Sequence, residues 1–214
     1  MTRKGRARMS EIKKTYALDG KKPLGAITGH VVSVSQITGR GMIDLRGILS
    51  DAKFARAAKK ALGVALPGEP RTSVAKGALS ILWLSVDQWL ICCAADQAGP
   101  LGQRLRKELE GIHSQVTDLS DARTIIRLAG DGVREVIMKA APVDLTTAEF
   151  RPGTVRRLRF GDVAGMVHLL GGEPEAIDLF VFRSHAGYVW DWIEVTARKA
   201  SAIRVFGEQP APAV

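Results

Sequence analysis

The densest apolar stretch of the chain is residues 79–93, LSILWLSVDQWLICC, where two strand-like runs flank a short polar turn. This pattern predicts a hairpin at the centre of a core. Leu82, Leu84 and the run from Trp89 to Ile91 supply branched and aromatic bulk, while Ser85, Asp87 and Gln88 mark the reversal. Upstream, Val31, Val32, Val34 and Ile37 predict a strand over 30–37, a turn over 38–41, and a second short strand carrying Met42, Ile43 and Leu45. Residues 51–62 place Phe54, Ala58, Ala61 and Leu62 among basic residues at helical spacing. Pro67 and Pro70 then stop regular structure, and 68–77 reads as a connection into the hairpin.

Beyond the hairpin, Leu101, Leu105 and Leu109 recur every fourth position and predict a helix whose stripe packs on it. An extended segment over 112–119 follows. The polar hexapeptide DLSDAR at 118–123 then separates it from another strand over 124–128, and a turn at 130–132 leads to a helix ending near 138. Residues 142–152 read as an irregular crossover, in which Asp144, Glu149, Phe150 and Arg151 brace the junction between two halves. Gly161 and Asp162 separate strands over 154–160 and 163–170, a hairpin signature. A strand over 177–182 and a helix over 186–198, with Trp190, Ile193 and Ala197 on one face, complete the pattern. The fold class expected is α+β: two intimately packed subdomains, 30–140 and 141–206, each an antiparallel sheet covered by helices. A flexible basic arm over 1–29 precedes them and a tail over 207–214 follows.

Composition narrows the function classes. With 214 residues, 46% of them hydrophobic, the chain can bury a sizeable core. The formal charge is +9, but Arg3, Lys4, Arg6, Arg8, Lys13 and Lys14 against Glu11 put +5 of it in the first fourteen residues, leaving +4 for the rest. A folded nucleic-acid binder concentrates charge on its folded surface and carries a recognition motif; this chain shows neither, so no nucleic-acid partner is expected. Arg156, Arg157 and Arg159 on one predicted strand suit a solvated face or an acidic partner. Adjacent Cys92 and Cys93 inside an apolar run fit buried reduced thiols rather than a disulfide framework, a CxxC pair or a metal site. No apolar run approaches twenty residues and no signal-like segment opens the chain, so a soluble cytoplasmic protein without a membrane partner is expected.

Candidate chemistry is sparse. His30, His113, His168 and His185 form no compact ligand pattern, and neither a phosphate loop, a dinucleotide fingerprint nor HExxH occurs. Arg183, Ser184 and His185 are sequence neighbours without the nucleophile and oriented base that catalysis requires. No catalytic, cofactor-binding or metal-ligating residue is assigned. Residues of DLSDAR can cap a turn, form an internal ion pair or meet a partner.

Taken in order, LWLSVDQWLI, VTDLSDARTIIRLAG, VDLTTAEFRPG and LFVFRSHAGYVWDWI resemble the gamma subunit of heterotetrameric sarcosine oxidase, over about 31–200. The resemblance implies a fold related to the folate-binding part of aminomethyltransferases, and assembly with alpha, beta and delta subunits. It further implies a complex that oxidatively demethylates sarcosine to glycine, forms hydrogen peroxide and passes the one-carbon unit to tetrahydrofolate. The FAD, FMN, NAD and tetrahydrofolate of such a complex would reside on the larger subunits. The residues carrying the match, expected to be structural or at an interface, are Trp83, Asp87 and Trp89 in the hairpin, Asp118, Ser120, Asp121 and Arg123 in the polar hexapeptide, and Arg183, Trp190 and Trp192 near the carboxyl end. Ser85 and Val86 stand where the family often has glycine and proline, and His185 where an aromatic is common. Beside a noncatalytic assembly subunit, an independent folate-binding or one-carbon-transfer protein and, ranked lower, a nucleic-acid-binding protein are the alternatives.

Overall fold

The computed structural model describes residues 14–201. In chain order the strands are β1 (Ser33–Ile37), β2 (Arg40–Gly47), β3 (Ser73–Lys76), β4 (Leu79–Ser85), β5 (Gln88–Ala94), β6 (Ser114–Asp118), β7 (Arg123–Ala129), β8 (Val155–Phe160), β9 (Val163–Gly171) and β10 (Ala176–Phe182). The helices are α1 (Ala52–Leu62), α2 (Ala98–Glu108), α3 (Val133–Met138) and α4 (Ala186–Thr196). Two antiparallel five-stranded sheets result, ordered β3-β4-β5-β2-β6 and β1-β7-β10-β9-β8.

Strand alternation sorts the apolar side chains into three layers. From β5, Trp89, Ile91 and Cys93 join Phe54, Ala58 and Leu105 beneath α1 and α2. Leu90 and Cys92 point the other way and meet Ile125, Met166 and Phe180 of the second sheet. That sheet turns Ile126, Leu128, Val167 and Leu179 outward, against Val136 of α3 and Trp190 and Ile193 of α4. The order of layers is helices, sheet, sheet, helices. The near-continuous apolar run of β5 follows from its central position, buried on both faces, whereas edge strand β8, VRRLRF, alternates.

Local chemistry sets the helix ends. The Asp51 carboxylate accepts the Lys53 amide at 2.8 Å and opens α1; Gly63, at φ +71°, closes it by donating its N–H to the Lys59 carbonyl. Lys60 of α1 reaches Glu108 of α2 at 2.8 Å. Gly47 lets α1 sit close on the sheet, since a Cβ there would lie 2.1 Å from the Phe54 ring.

Several boundaries differ from expectation. The sheets do not divide at residue 140: β2 to β6 form one sheet, while β1 joins β7 to β10 in the other. The chain crosses between sheets at 38–39 and again at 119–122, so residues 40–118 are inserted into a unit made from both flanks. The reversal after Ile37 looks locally like a hairpin turn. However, β1 finds its partner ninety-odd residues away, with Ser33 opposite Ala129, because that pairing buries Val34. The arm expected over 1–29 is packed in its described part. Leu18 is buried in the α3/α4 core, Leu24 and Val34 exchange backbone hydrogen bonds of 3.0 Å, and Lys21 meets Asp191 at 2.6 Å. Two isolated leucines anchor it, which is why no periodic face betrays it. Residues 1–13 of that arm and the tail at 207–214 lie outside the described residues. The connection at 68–77 contains edge strand β3, paired to β4 by its backbone and lacking bulky side chains.

Candidate functional site

The β6–β7 loop carries the chain from one sheet to the other, and its polar side chains hold that crossing. The Asp118 carboxylate accepts from both the amide (2.9 Å) and the hydroxyl (2.5 Å) of Ser120. Ser120 Oγ in turn accepts the Met42 amide at 3.0 Å, and the Leu119 amide donates to the Met42 carbonyl at 2.8 Å. Arg183 closes the junction from β10: its amide donates to the Ala122 carbonyl at 2.9 Å and its guanidinium to the Thr15 carbonyl at 2.8 Å. Exposed Asp121 pairs with Lys14 at 3.3 Å. Ser120, Asp121, Arg123 and Arg183 thus converge on one small cavity of about 20 Å³, room for a water but not for an organic ligand.

The other residues singled out lie elsewhere. Trp89 is fully buried, its indole N–H donating to the Pro67 carbonyl at 2.9 Å and its ring tilted against Phe54 at 5.9 Å, so it belongs to the core and not to a surface. Trp83 is half-buried in the same layer. Asp87 sits in the β4–β5 turn, where the Ser85 hydroxyl and, secondarily, Arg46 at 3.6 Å hold its carboxyl below the usual range. Trp190 is core, and Trp192 is half-buried, edge-on to Phe160 at 6.5 Å.

Sequence reasoning missed a polar seam that runs through the layer between the sheets. Arg127 forks onto Asp178 through bonds of 2.7 and 2.9 Å, which hold the guanidinium proton more tightly than usual. Gln88 donates to Asp44 at 2.6 Å. Ser73 Oγ gives its hydrogen to the Gly153 carbonyl at 2.7 Å, so toward His168 Nε2, 2.9 Å away, it acts as the acceptor, and His168 carries its proton on Nε2. Burial pushes the His168 pKa down. A second hub, Arg134, forks onto Glu175 at 2.7 and 2.8 Å, donates to the Leu145 and Phe150 carbonyls, and so tethers the crossover after α3. These residues are scattered in sequence and share no motif; strand register, sheet-on-sheet packing and the position of α3 bring them together.

The redox and metal chemistry available is limited. Burial pushes the Cys92 thiol up to about 12, far from a reactive thiolate. Among the described residues no group of His, Cys, Asp and Glu is arranged to hold a metal, and no helix is long and apolar enough to cross a membrane. Two of the strand-to-helix connections disfavour a phosphate: the Asp51 carboxylate occupies the amino-terminal end of α1, and Pro100 removes an amide from the first turn of α2.

On the outer face of α4, Tyr188, Trp192 and Val195 follow at i, i+4 and i+7. Tyr188 and Val195 are exposed, and the three line an open, largely apolar groove of about 400 Å³. Their spacing was readable in the sequence beside the buried face of Val189, Trp190 and Ile193.

The chain resembles known proteins over most of this architecture. It is 31% identical over 127 residues to the sarcosine oxidase subunit gamma of Arthrobacter sp, covering 59% of this chain and 61% of that one. It is 32% identical over 124 residues to the corresponding subunit of Corynebacterium sp. (strain U-96), covering 56% and 58%. The aligned part therefore spans about three-fifths of the length of these relatives. Among solved structures, heterotetrameric sarcosine oxidase from Corynebacterium sp. U-96 in complex with pyrrole 2-carboxylate contains a chain that superposes with a TM-score of 0.73 at 22% identity, covering 83% of this chain and 89% of that one. Glycine cleavage system aminomethyltransferase T from Bartonella henselae shares the fold with a TM-score of 0.54 at 16% identity, over 77% of this chain and 45% of that one. The expected aminomethyltransferase-like α+β fold is thereby established. With residues 46–200 matching the description "Sarcosine oxidase, gamma subunit family", the chain belongs to that family.

Proposed function

We propose that this chain is a noncatalytic gamma subunit that docks onto the larger subunits of a heterotetrameric sarcosine oxidase and stabilises their assembly in the cytoplasm. The partners are the alpha, beta and delta chains. The complex oxidatively demethylates sarcosine to glycine with formation of hydrogen peroxide, and hands the one-carbon unit to tetrahydrofolate. FAD, FMN, NAD and tetrahydrofolate bind on the larger subunits; the carboxylate at the start of α1 and the proline in the first turn of α2 disfavour a phosphate at those two helix ends. The observation that carries the reading is the apolar stripe of Tyr188, Trp192 and Val195 on α4, exposed at Tyr188 and Val195, in a chain whose family is that of the oxidase gamma subunits. An exposed aromatic and aliphatic cluster of this kind is what a partner buries at the centre of an interface.

Coexpression with the alpha, beta and delta chains, followed by size-exclusion chromatography, tests it. The wild-type chain is expected to co-elute with them at defined stoichiometry. Val195→Glu, which places a charge on an exposed helix position, is expected to weaken that association about tenfold or more without unfolding the chain. A stable monomer that never joins the other chains would overturn the proposal.

A further inference from the structure

Among the described residues two buried polar side-chain atoms lack any hydrogen-bond partner, Arg123 Nε and His185 Nδ1, and both belong to neighbours of Phe182. The Arg123 guanidinium lies over the Phe182 ring, 4.6 Å from its centre, and the His185 ring meets it edge-on at 6.4 Å. Phe182 itself is 40% exposed. Buried polar groups are nearly always satisfied, and both exceptions flank this one exposed aromatic.

Strand register brings a second arginine to the same face. Arg123 stands opposite Phe182 across β7 and β10, while Arg157 of β8 stands opposite Met166, which is opposite Phe180. Side chains directly opposite one another share a sheet face, so both arginines rise from the face that looks into the layer between the sheets. They sense each other: after burial, the Arg157 charge is the next largest cause lowering the proton affinity of Arg123. Neither arginine has a carboxylate within 4.0 Å among the described residues. The nearby acid, Asp44, is already engaged by Gln88 and Arg46. Stacking on an aromatic ring fixes a guanidinium plane while leaving its in-plane N–H groups free, in the fork geometry that matches a carboxylate.

We infer that Arg123 and Arg157 form a clamp for an Asp or Glu side chain of a partner subunit, which seats over Phe182 when the complex assembles. The inference rests on the assembly reading and adds the chemistry of the contact. A chain-borne carboxylate satisfies both the unpaired charge and the exposed ring, whereas a free anion would leave Phe182 in water.

Two arms test it. In the coexpressed complex, Arg123→Gln and Arg157→Gln are each expected to weaken association about tenfold, and Arg157→Glu more, whereas Arg104→Gln on exposed α2 leaves it unchanged. Arg123→Lys keeps the charge but loses the fork, and is expected to restore only part of the affinity. Thermal midpoints of the free variants separate lost contact from lost fold. Association of Arg123→Gln and Arg157→Gln equal to wild type overturns the clamp while leaving the assembly reading standing. In the isolated chain, replacing chloride by acetate at equal ionic strength is expected to raise the melting midpoint of wild type but not of Arg123→Gln. An identical response of the two overturns the carboxylate preference even if the wild-type chain fails to assemble, a failure that would separately overturn the assembly reading.

Discussion

Trp89 offers the sharpest test of how the core is held. Its indole is fully buried beneath α1, tilted against Phe54 at 5.9 Å, and its N–H donates to the Pro67 carbonyl at 2.9 Å. Trp89→Ala removes the largest fully buried side chain of that layer, and large-to-small aromatic substitutions in cores cost about 3–5 kcal/mol through lost transfer energy plus cavity. Leaving the Pro67 carbonyl without its donor adds about 1 kcal/mol. The total of about 5 kcal/mol consumes much of the roughly 5–15 kcal/mol that keeps a domain folded. Trp89→Phe keeps an aromatic beside Phe54 and loses the hydrogen bond and part of the volume, so it should cost only about 2 kcal/mol. Urea unfolding followed by far-ultraviolet circular dichroism reads both, with the midpoint of Trp89→Ala lowered by about 2 M and the slope unchanged. A loss below about 1.5 kcal/mol for Trp89→Ala, or equal losses for the two variants, would refute the assignment of Trp89 to the core.

Three further outcomes are expected. Gly47→Ala drives a Cβ into the buried Phe54 ring and should cost about 3 kcal/mol in urea unfolding, whereas Gly99→Ala, in α2 with open space around it, should be neutral or stabilise by about 0.5–1 kcal/mol. Arg134→Ala should release the crossover over 142–152, seen as new cleavage there in limited proteolysis, with a stability loss of about 2 kcal/mol; Arg134→Lys should rescue little because a lysine cannot fork onto Glu175 while reaching two carbonyls. His168 has its folded pKa depressed below 6.5 by burial, with Arg127 lowering it further and Asp178 opposing. The unfolded chain therefore binds the proton more readily, and the stability present above about pH 6.5 is lost as pH falls toward the folded pKa. Stability measured from pH 7 to pH 5 should fall more steeply for wild type than for His168→Gln, and parallel curves would refute the assignment.

Local pattern carried far in this chain. The hairpin of β4 and β5, helices α1 and α2, the β8–β9 hairpin and the buried face of α4 were legible because each is a short-range rhythm of apolar side chains written over adjacent residues. So was the ordered series of segments by which the family is recognised. The polar hexapeptide was also visible as a constellation, with Asp118, Ser120 and Arg183 serving the crossing between sheets.

Long-range pairing was not legible. Nothing near Ile37 announces that the chain leaves one sheet for another, because β1 is placed by backbone bonds to β7 and by the burial of Val34, both set by residues far away. The same holds for the packed segment around Leu18 and Leu24, for edge strand β3, and for the seam that joins Arg127 to Asp178 and Ser73 to His168. Sequence by itself determined most of the elements, much of the composition of the core and the family. Tertiary structure alone decided which sheet each strand entered, and therefore which charged side chains met an opposite charge and which, like Arg123 stacked on Phe182, were left without a carboxylate among the described residues. The physical reason is that periodicity records only how a residue relates to its neighbours along the chain, whereas pairing across strands is fixed by total burial over the whole fold.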